Sequence, residues 1–249
     1  MRIKFAEVLN ISIPFKKSFE HSLAVHNQVN SVILIVETER GVIGYGECIP
    51  RKYVTGETTG SVMKQLNEII LPQLLGKEFL SMGQLKDWLL EFNQHFGLGE
   101  RDLCVQCVVD LALVDAFCKE TGKNVADYLG PLQKRLIYYS AVVSAGNTQK
   151  VFKTLLKYKA MMINQVKLKV GTDHGQDLFN LMMVRKILGV NAEIRVDADA
   201  MWDLNETLIK LKDFARYGVI SIEQPMPVQL KDQYPILVEQ LRKGACLCG

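Results

Sequence analysis

At 249 residues with 48% apolar side chains, the chain is long enough for one large domain or two small ones with cores of their own. Thirty basic against twenty-seven acidic residues leave a net charge of +3, and no run of like charge is dense enough for a nucleic-acid or membrane surface, so a small molecule is the expected partner. The opening Met1-Arg-Ile-Lys-Phe-Ala-Glu7 is broken by charge too often for a signal peptide, and no apolar run approaches a membrane span, which points to the cytoplasm.

The first fifty residues read as an antiparallel meander. Ile3, Phe5, Leu9, Ile11 and Ile13 keep one parity, Val32 to Val36 is a β-branched run, and Glu39-Arg-Gly41 turns it into Val42 to Cys48. Residues 15–30, with Phe19, His21 and His26, are expected to form a mobile loop over the site, where a histidine is more often merely solvated. Gly41, Gly44 and Gly46 are turn and strand glycines without the strand-to-helix setting of a dinucleotide loop. A helix is predicted over about 60–75, ending at Gly76; a second opens with Ser81 and Gln84, and a third runs from about 100 to Thr121-Gly122. Cys104-Val-Gln-Cys107 has the spacing of a redox or zinc pair, but Cys104, Cys107, Val108, Leu111, Val114 and Cys118 recur at helical spacing, which predicts a buried face. A turn at Leu129-Gly-Pro131 closes this α+β unit.

Beyond it, strands are predicted near 137–143, 164–170, 193–198, 219–223 and 245–248, alternating with helices near 148–161, 175–188, 204–217 and 232–243. Such alternation argues for parallel βα units. Asp203 and Glu206 form a capping box, and Gly218 closes that helix. Ser144 either reaches the pocket or caps the next helix, Trp202 is expected to pack beneath the site, and Cys246-Leu-Cys248 reads as buried strand.

Strand parity puts Gln165, Lys167 and Lys169 on one face, with Arg195, Asp197 and Asp199, and then Ser221 and Glu223, on the same face of the next two strands. The opposite faces are apolar and call for helices, so charge is expected in a sheet interior, where it is costly unless partnered. Proton abstraction beside a carboxylate would need such a set: a base, and a positive field to stabilise the enolate dianion. Mg²⁺ held by Asp197 and Glu223 would supply that field, and Lys167, about 6–7 Å along the strand from Lys169, would lower its neighbour's pKa.

Lys167-Leu-Lys169, Asp197-Ala-Asp-Ala-Met-Trp202 and Glu223-Gln-Pro225 resemble motifs of the enolase superfamily, and the Lys-x-Lys form is similar to its muconate-lactonizing subgroup. Sites of that superfamily are known to combine a Lys or His base with Mg²⁺. The resemblance covers essentially the whole chain. It implies an α+β capping domain over residues 1–131, then an incomplete (β/α) TIM-type barrel over 132–249 with about five of eight strands. It also implies Lys169 as acid/base, Lys167 as stabiliser of the enolate, and Asp197 and Glu223 as Mg²⁺ ligands. Asp199, where many relatives carry Asn, either strengthens the metal site or pairs with a lysine. The segment Gly44 to Glu57 looks most like the loop of dipeptide epimerases, with Arg51 and Tyr53 as candidates for substrate contact. The expected activity is epimerisation of a dipeptide or N-acylated amino acid by a homo-oligomer. A cycloisomerase or dehydrating synthase (muconate or succinylbenzoate type) and a catalytically incompetent or structural subunit are the alternatives.

The resemblance also places a third metal ligand just after the fifth barrel strand and an opposite-face lysine on the sixth, both beyond Gly249. The sequence is therefore expected to be part of a longer protein, or else a short product completed by a partner, and by itself to bind Mg²⁺ poorly.

Overall fold

The computed structural model describes residues 1–21, 24–99, 102–131, 133–144, 148–171 and 173–243, in two compact units, Met1–Gln133 and Lys134–Gly249. The predicted strand near 245–248, with Cys246 and Cys248, lies outside the described residues.

The first unit opens with strands β1 (Ile3–His21), β2 (Ala24–Thr38) and β3 (Ile43–Cys48), in antiparallel order β1-β2-β3. The expected loop over 15–30 is instead the end of a long hairpin, because β1 and β2 resume pairing at Phe19↔His26 after an irregularity beyond Pro14. The parity reading of β1 holds only at its start: Ile3 is buried, a register shift follows it, and Phe5, Ile11 and Ile13 are exposed. Helices α1 (Thr59–Gln65), α2 (Leu71–Leu74), α3 (Met82–Leu90), α4 (Phe92–Phe96), α5 (Leu103–Thr121) and α6 (Ala126–Leu129) follow. The predicted 60–75 helix carries a π turn over Leu66–Ile70, next to Pro72, whose ring nitrogen has no hydrogen to give the preceding turn.

Helix α5 lies directly on β3. A methyl group at Gly46 would collide with the Val108 carbonyl oxygen, so glycine is required there by close approach. The buried face of α5 keeps Cys104, Val108 and Cys118 of the predicted one and corrects it at Cys107 and Leu111. It runs through Cys104/Val105, Val108/Val109, Ala112/Leu113 and Ala116/Phe117, whereas Cys107 and Leu111 are exposed. At the helix start the buried Glu57 carboxylate accepts from the amides of Cys104 (3.0 Å) and Val105 (3.3 Å). The amides that would favour a thiolate already hold this carboxylate. Burial and Glu57 together push the Cys104 thiol up to about 11.

The second unit is built from βα repeats: β4 (Ala141–Val143), α7 (Thr148–Ala160), β5 (Gln165–Lys169), α8 (His174–Leu188), β6 (Glu193–Asp197), α9 (Leu204–Ala215), β7 (Val219–Glu223) and α10 (Tyr234–Lys243). The strands pair in parallel in the order β4-β5-β6-β7. Strand β4 is shorter than predicted: its pairing begins at Ala141↔Val166, next to the start of β5, and Leu136 to Tyr139 are exposed. One face of the sheet, through Val166, Leu168, Ile194 and Val196, packs with Leu155, Leu181, Val184, Leu211 and Phe214 of the helices. Asp203 and Glu206 form the predicted capping box on α9. No helix among the described residues is long and apolar enough to cross a membrane.

Arg185, in the last turn of α8, closes the end of this sheet at which β6 and β7 begin. Its guanidinium donates to the carbonyls of Tyr217 (2.5 Å), Gly218 (2.9 Å), Gly189 (3.3 Å), Val190 (3.0 Å) and Ala192 (2.5 Å). A lysine has three donors and cannot serve five acceptors. Replacing Arg185 by Leu is expected to lower unfolding free energy in urea by about 2–4 kcal/mol, and by Lys about half as much, because the carbonyls lose their partners. A Leu variant within about 0.5 kcal/mol of the parent would show that the clasp contributes nothing.

Candidate active site

The C-terminal ends of β5, β6 and β7 carry the charges singled out in the sequence. Lys169, Asp197 and Glu223 are register partners across the three strands, and Lys167 lies in the row below, level with Arg195 and Ser221. The Lys167 ammonium reaches diagonally to Asp197 Oδ2 at 3.1 Å and Glu223 Oε2 at 3.0 Å. Lys169 contacts the same Asp197 Oδ2 at 2.8 Å and Asp199 Oδ1 at 2.6 Å. The other oxygen of Asp197 accepts from the Asp199 amide at 3.2 Å.

The groups differ in exposure. Asp197 is buried, its side chain 3% exposed, but Lys167 is 25% and Glu223 55% exposed. Arg195 and Ser221 are exposed too.

The loops beyond the strands hold this geometry. Asp199 (φ 47°), Ala200 (φ 60°) and Gln224 (φ 42°) adopt left-handed backbone, a costly conformation that persists where surroundings enforce it. Here the enforcement is a backbone ladder: Ala198 N–H donates to Glu223 O (3.1 Å), Ala200 N–H to Gln224 O (2.7 Å) and Trp202 N–H to Pro225 O (3.0 Å). Trp202 is buried beneath, as predicted, and its indole donates to Gly171 O at 3.4 Å. The amide of Gly171 donates to buried Asp177 at 2.9 Å. Asp177 escaped the sequence reading because a carboxylate near a helix start ordinarily signals a solvated first turn.

The expected depression of the Lys169 pKa by its lysine neighbour is not found. Burial alone would lower both lysines, but hydrogen bonds to Glu223 and Asp197 hold Lys167 above its usual value, and those to Asp197 and Asp199 do the same for Lys169. Asp197 is the mirror case: burial would raise it, and the Lys169 and Lys167 ammoniums hold it below the usual 3.8.

No group of three or more His, Cys, Asp or Glu among the described residues is placed to hold a metal ion. Asp197 and Glu223 nevertheless converge on one cation, the Lys167 ammonium, so two hard oxygen donors fit a site of the Mg²⁺ kind, an ion that keeps several waters of its own. Arg51 and Tyr53 belong to the first unit, in the turn between β3 and α1, where the Val54 and Thr55 amides donate to Arg51 O at 2.8 and 3.0 Å. Tyr53 is exposed there. Ser144 is exposed just after β4.

An α+β unit followed by parallel βα repeats with charge at the strand ends is the arrangement of the enolase class of fold. Residues 3–130 match the N-terminal domain model of the mandelate racemase / muconate lactonizing enzyme family, and residues 151–243 the enolase C-terminal domain-like model. The chain belongs to this family. It is 24% identical over 255 residues to an N-succinyl-L-Arg/Lys racemase of Bacillus cereus, covering 98% of this chain and 68% of that protein. It is 26% identical over 229 residues to an L-Ala-D/L-Glu epimerase of Bacillus subtilis, covering 91% of this chain and 61% of that one. The solved dipeptide epimerase of Cytophaga hutchinsonii, complexed with Mg and D-Ala-L-Val, superposes with a TM-score of 0.83 at 23% identity, over 96% of this chain and 63% of that chain. The chain thus spans roughly two thirds of the length of these relatives.

The ion pairs make stability depend on pH in a definite sense. Asp197, depressed in the folded state, contributes stability that is present above its unfolded pKa and lost as pH falls through the folded one. Lys167 and Lys169, raised, contribute below 10.5 and lose it as pH rises through their folded values. Urea unfolding of Asp197→Asn is expected to flatten the fall in stability below pH 3.8. A parent-like acid slope would show Asp197 unpaired in solution.

Proposed function

We propose that this chain carries one face of a site that removes and returns the proton α to a substrate carboxylate, with an enolate as the intermediate. The single observation that supports this is the shared rung of Lys169, Asp197 and Glu223, with Lys167 linking the two carboxylates. Lys169 is the acid/base. As an ammonium it returns a proton to the α-carbon, and taking one requires its carboxylate contacts to loosen. Lys167 stabilises the enolate with its positive charge. Asp197 and Glu223 hold Mg²⁺, which when bound supplies a positive field for the substrate carboxylate. Arg51 and Tyr53 are proposed substrate contacts.

The substrate we favour is a dipeptide or an N-acylated amino acid, the classes named for the Bacillus and Cytophaga relatives, and the reaction is epimerisation. A homo-oligomeric, cytoplasmic enzyme is part of the same proposal. One observation favours a second reading: every charge of the cluster already has an opposite charge beside it, which is what a purely structural ion-pair group would look like. In that case a chelator leaves thermal stability unaltered.

Exchange of the substrate α-proton needs a base on one face only, so it tests the proposal directly. Incubated in deuterium oxide with a panel of dipeptides and N-succinyl amino acids, a full-length version of the protein is expected to exchange the α-hydrogen by proton NMR. Lys169→Ala should lose at least about 10²-fold of that rate. Undiminished exchange in Lys169→Ala would assign the base elsewhere.

A further inference from the structure

The proposed metal ligands share an internal competitor. Asp197 Oδ2 and Glu223 Oε2, the oxygens that meet between β6 and β7, are both engaged by one ammonium, that of Lys167, at 3.1 and 3.0 Å. Asp197 has little freedom to meet a cation elsewhere, since it is buried and its second oxygen accepts the Asp199 amide at 3.2 Å. Two cations cannot share this gap without strong repulsion at such separations.

The two lysines are placed differently for giving way. Lys169 has a second anchor in Asp199, 2.6 Å from its ammonium, and can leave Asp197 while staying paired. Among the described residues Lys167 has no such reserve: both of its carboxylate contacts are the very groups a metal would claim. From this asymmetry we propose that Lys167 is a built-in plug of the cation site, and that Mg²⁺ binds by exchange, expelling the Lys167 ammonium from between Asp197 and Glu223. The inference rests on the Mg²⁺ reading given above. Its consequence is order: the enolate-stabilising charge of Lys167 is released toward the substrate side only once a metal has replaced it. The plug also lowers apparent metal affinity, because only the fraction of molecules with Lys167 displaced is competent to bind.

The test is calorimetric titration with MgCl₂ at fixed ionic strength on the parent, Lys167→Met and Lys169→Met. The expected result is tighter binding by about tenfold or more in Lys167→Met and less than about threefold in Lys169→Met, which removes the same charge without unplugging the pair. Equal affinity in the parent and Lys167→Met overturns the plug while leaving the metal reading intact. An equal gain in both variants reduces the effect to charge alone and overturns it as well. Absence of Mg²⁺ binding in all three proteins overturns the plug, since removing the Lys167 ammonium then opens no cation site. A second measurement uses the parent and so does not depend on how the variants fold. Acylation of Lys167 by an amine-reactive ester, followed by peptide mass spectrometry, should rise severalfold in Mg²⁺ over NaCl of matched ionic strength. An unchanged rate overturns the exchange.

Discussion

The geometry of the second unit's charged end depends on one buried carboxylate. Asp197 meets two ammoniums with one oxygen and a backbone amide with the other. A buried carboxylate is tolerable only when its oxygens are engaged, and here the engagement comes from three residues on two segments of the chain. Lys167 and Lys169 rise from β5, Asp199 from the loop after β6. Through Lys167 the same contact extends to Glu223 on β7. Three neighbouring strands are thereby tied by side chains at the end where their backbone ladder stops.

The two ends of the sheet solve opposite problems. Where β6 and β7 begin, backbone carbonyls point inward and one guanidinium gathers five of them. The arrangement there serves stability. Where the strands end, cations and carboxylates alternate, part of each remains exposed, and the following residues are held in left-handed backbone by hydrogen bonds between adjacent loops. This is the division expected of βα architectures, in which chemistry gathers at the C-terminal ends of strands.

Much of this was legible in the sequence because periodicity constrains it. Alternation along 165–169, 193–197 and 219–223 placed the charged residues on one face, and turn and cap residues such as Gly122, Asp203 and Glu206 marked helix ends that the structure contains. Helix α5 was harder. It is apolar nearly all round, so several stripes satisfied the spacing, and the true one was set by two glycines of β3 that let the helix approach along Val108 and Ala112. The Arg185 clasp gave no signal, since its partners are backbone carbonyls, which carry no residue identity. The hairpin that replaces the expected loop is likewise a matter of backbone pairing across an irregular register.

The lysine pair shows where pattern reasoning needs distances. Two lysines on one strand face are about 6–7 Å apart at their bases, and taken alone they would repel and lower each other's pKa. Each ammonium, however, has two carboxylate oxygens at 2.6 to 3.1 Å. Coulomb energy falls as the inverse of separation, so with equal screening two attractions outweigh one repulsion by about twofold even at equal distances. The sign of the shift is then set by the carboxylates and not by the neighbouring lysine. A Lys-x-Lys pair is therefore not a base by virtue of its spacing. Its proton affinity depends on what else occupies Asp197, Asp199 and Glu223, and the chemistry available to Lys169 is decided on the two strands next to its own.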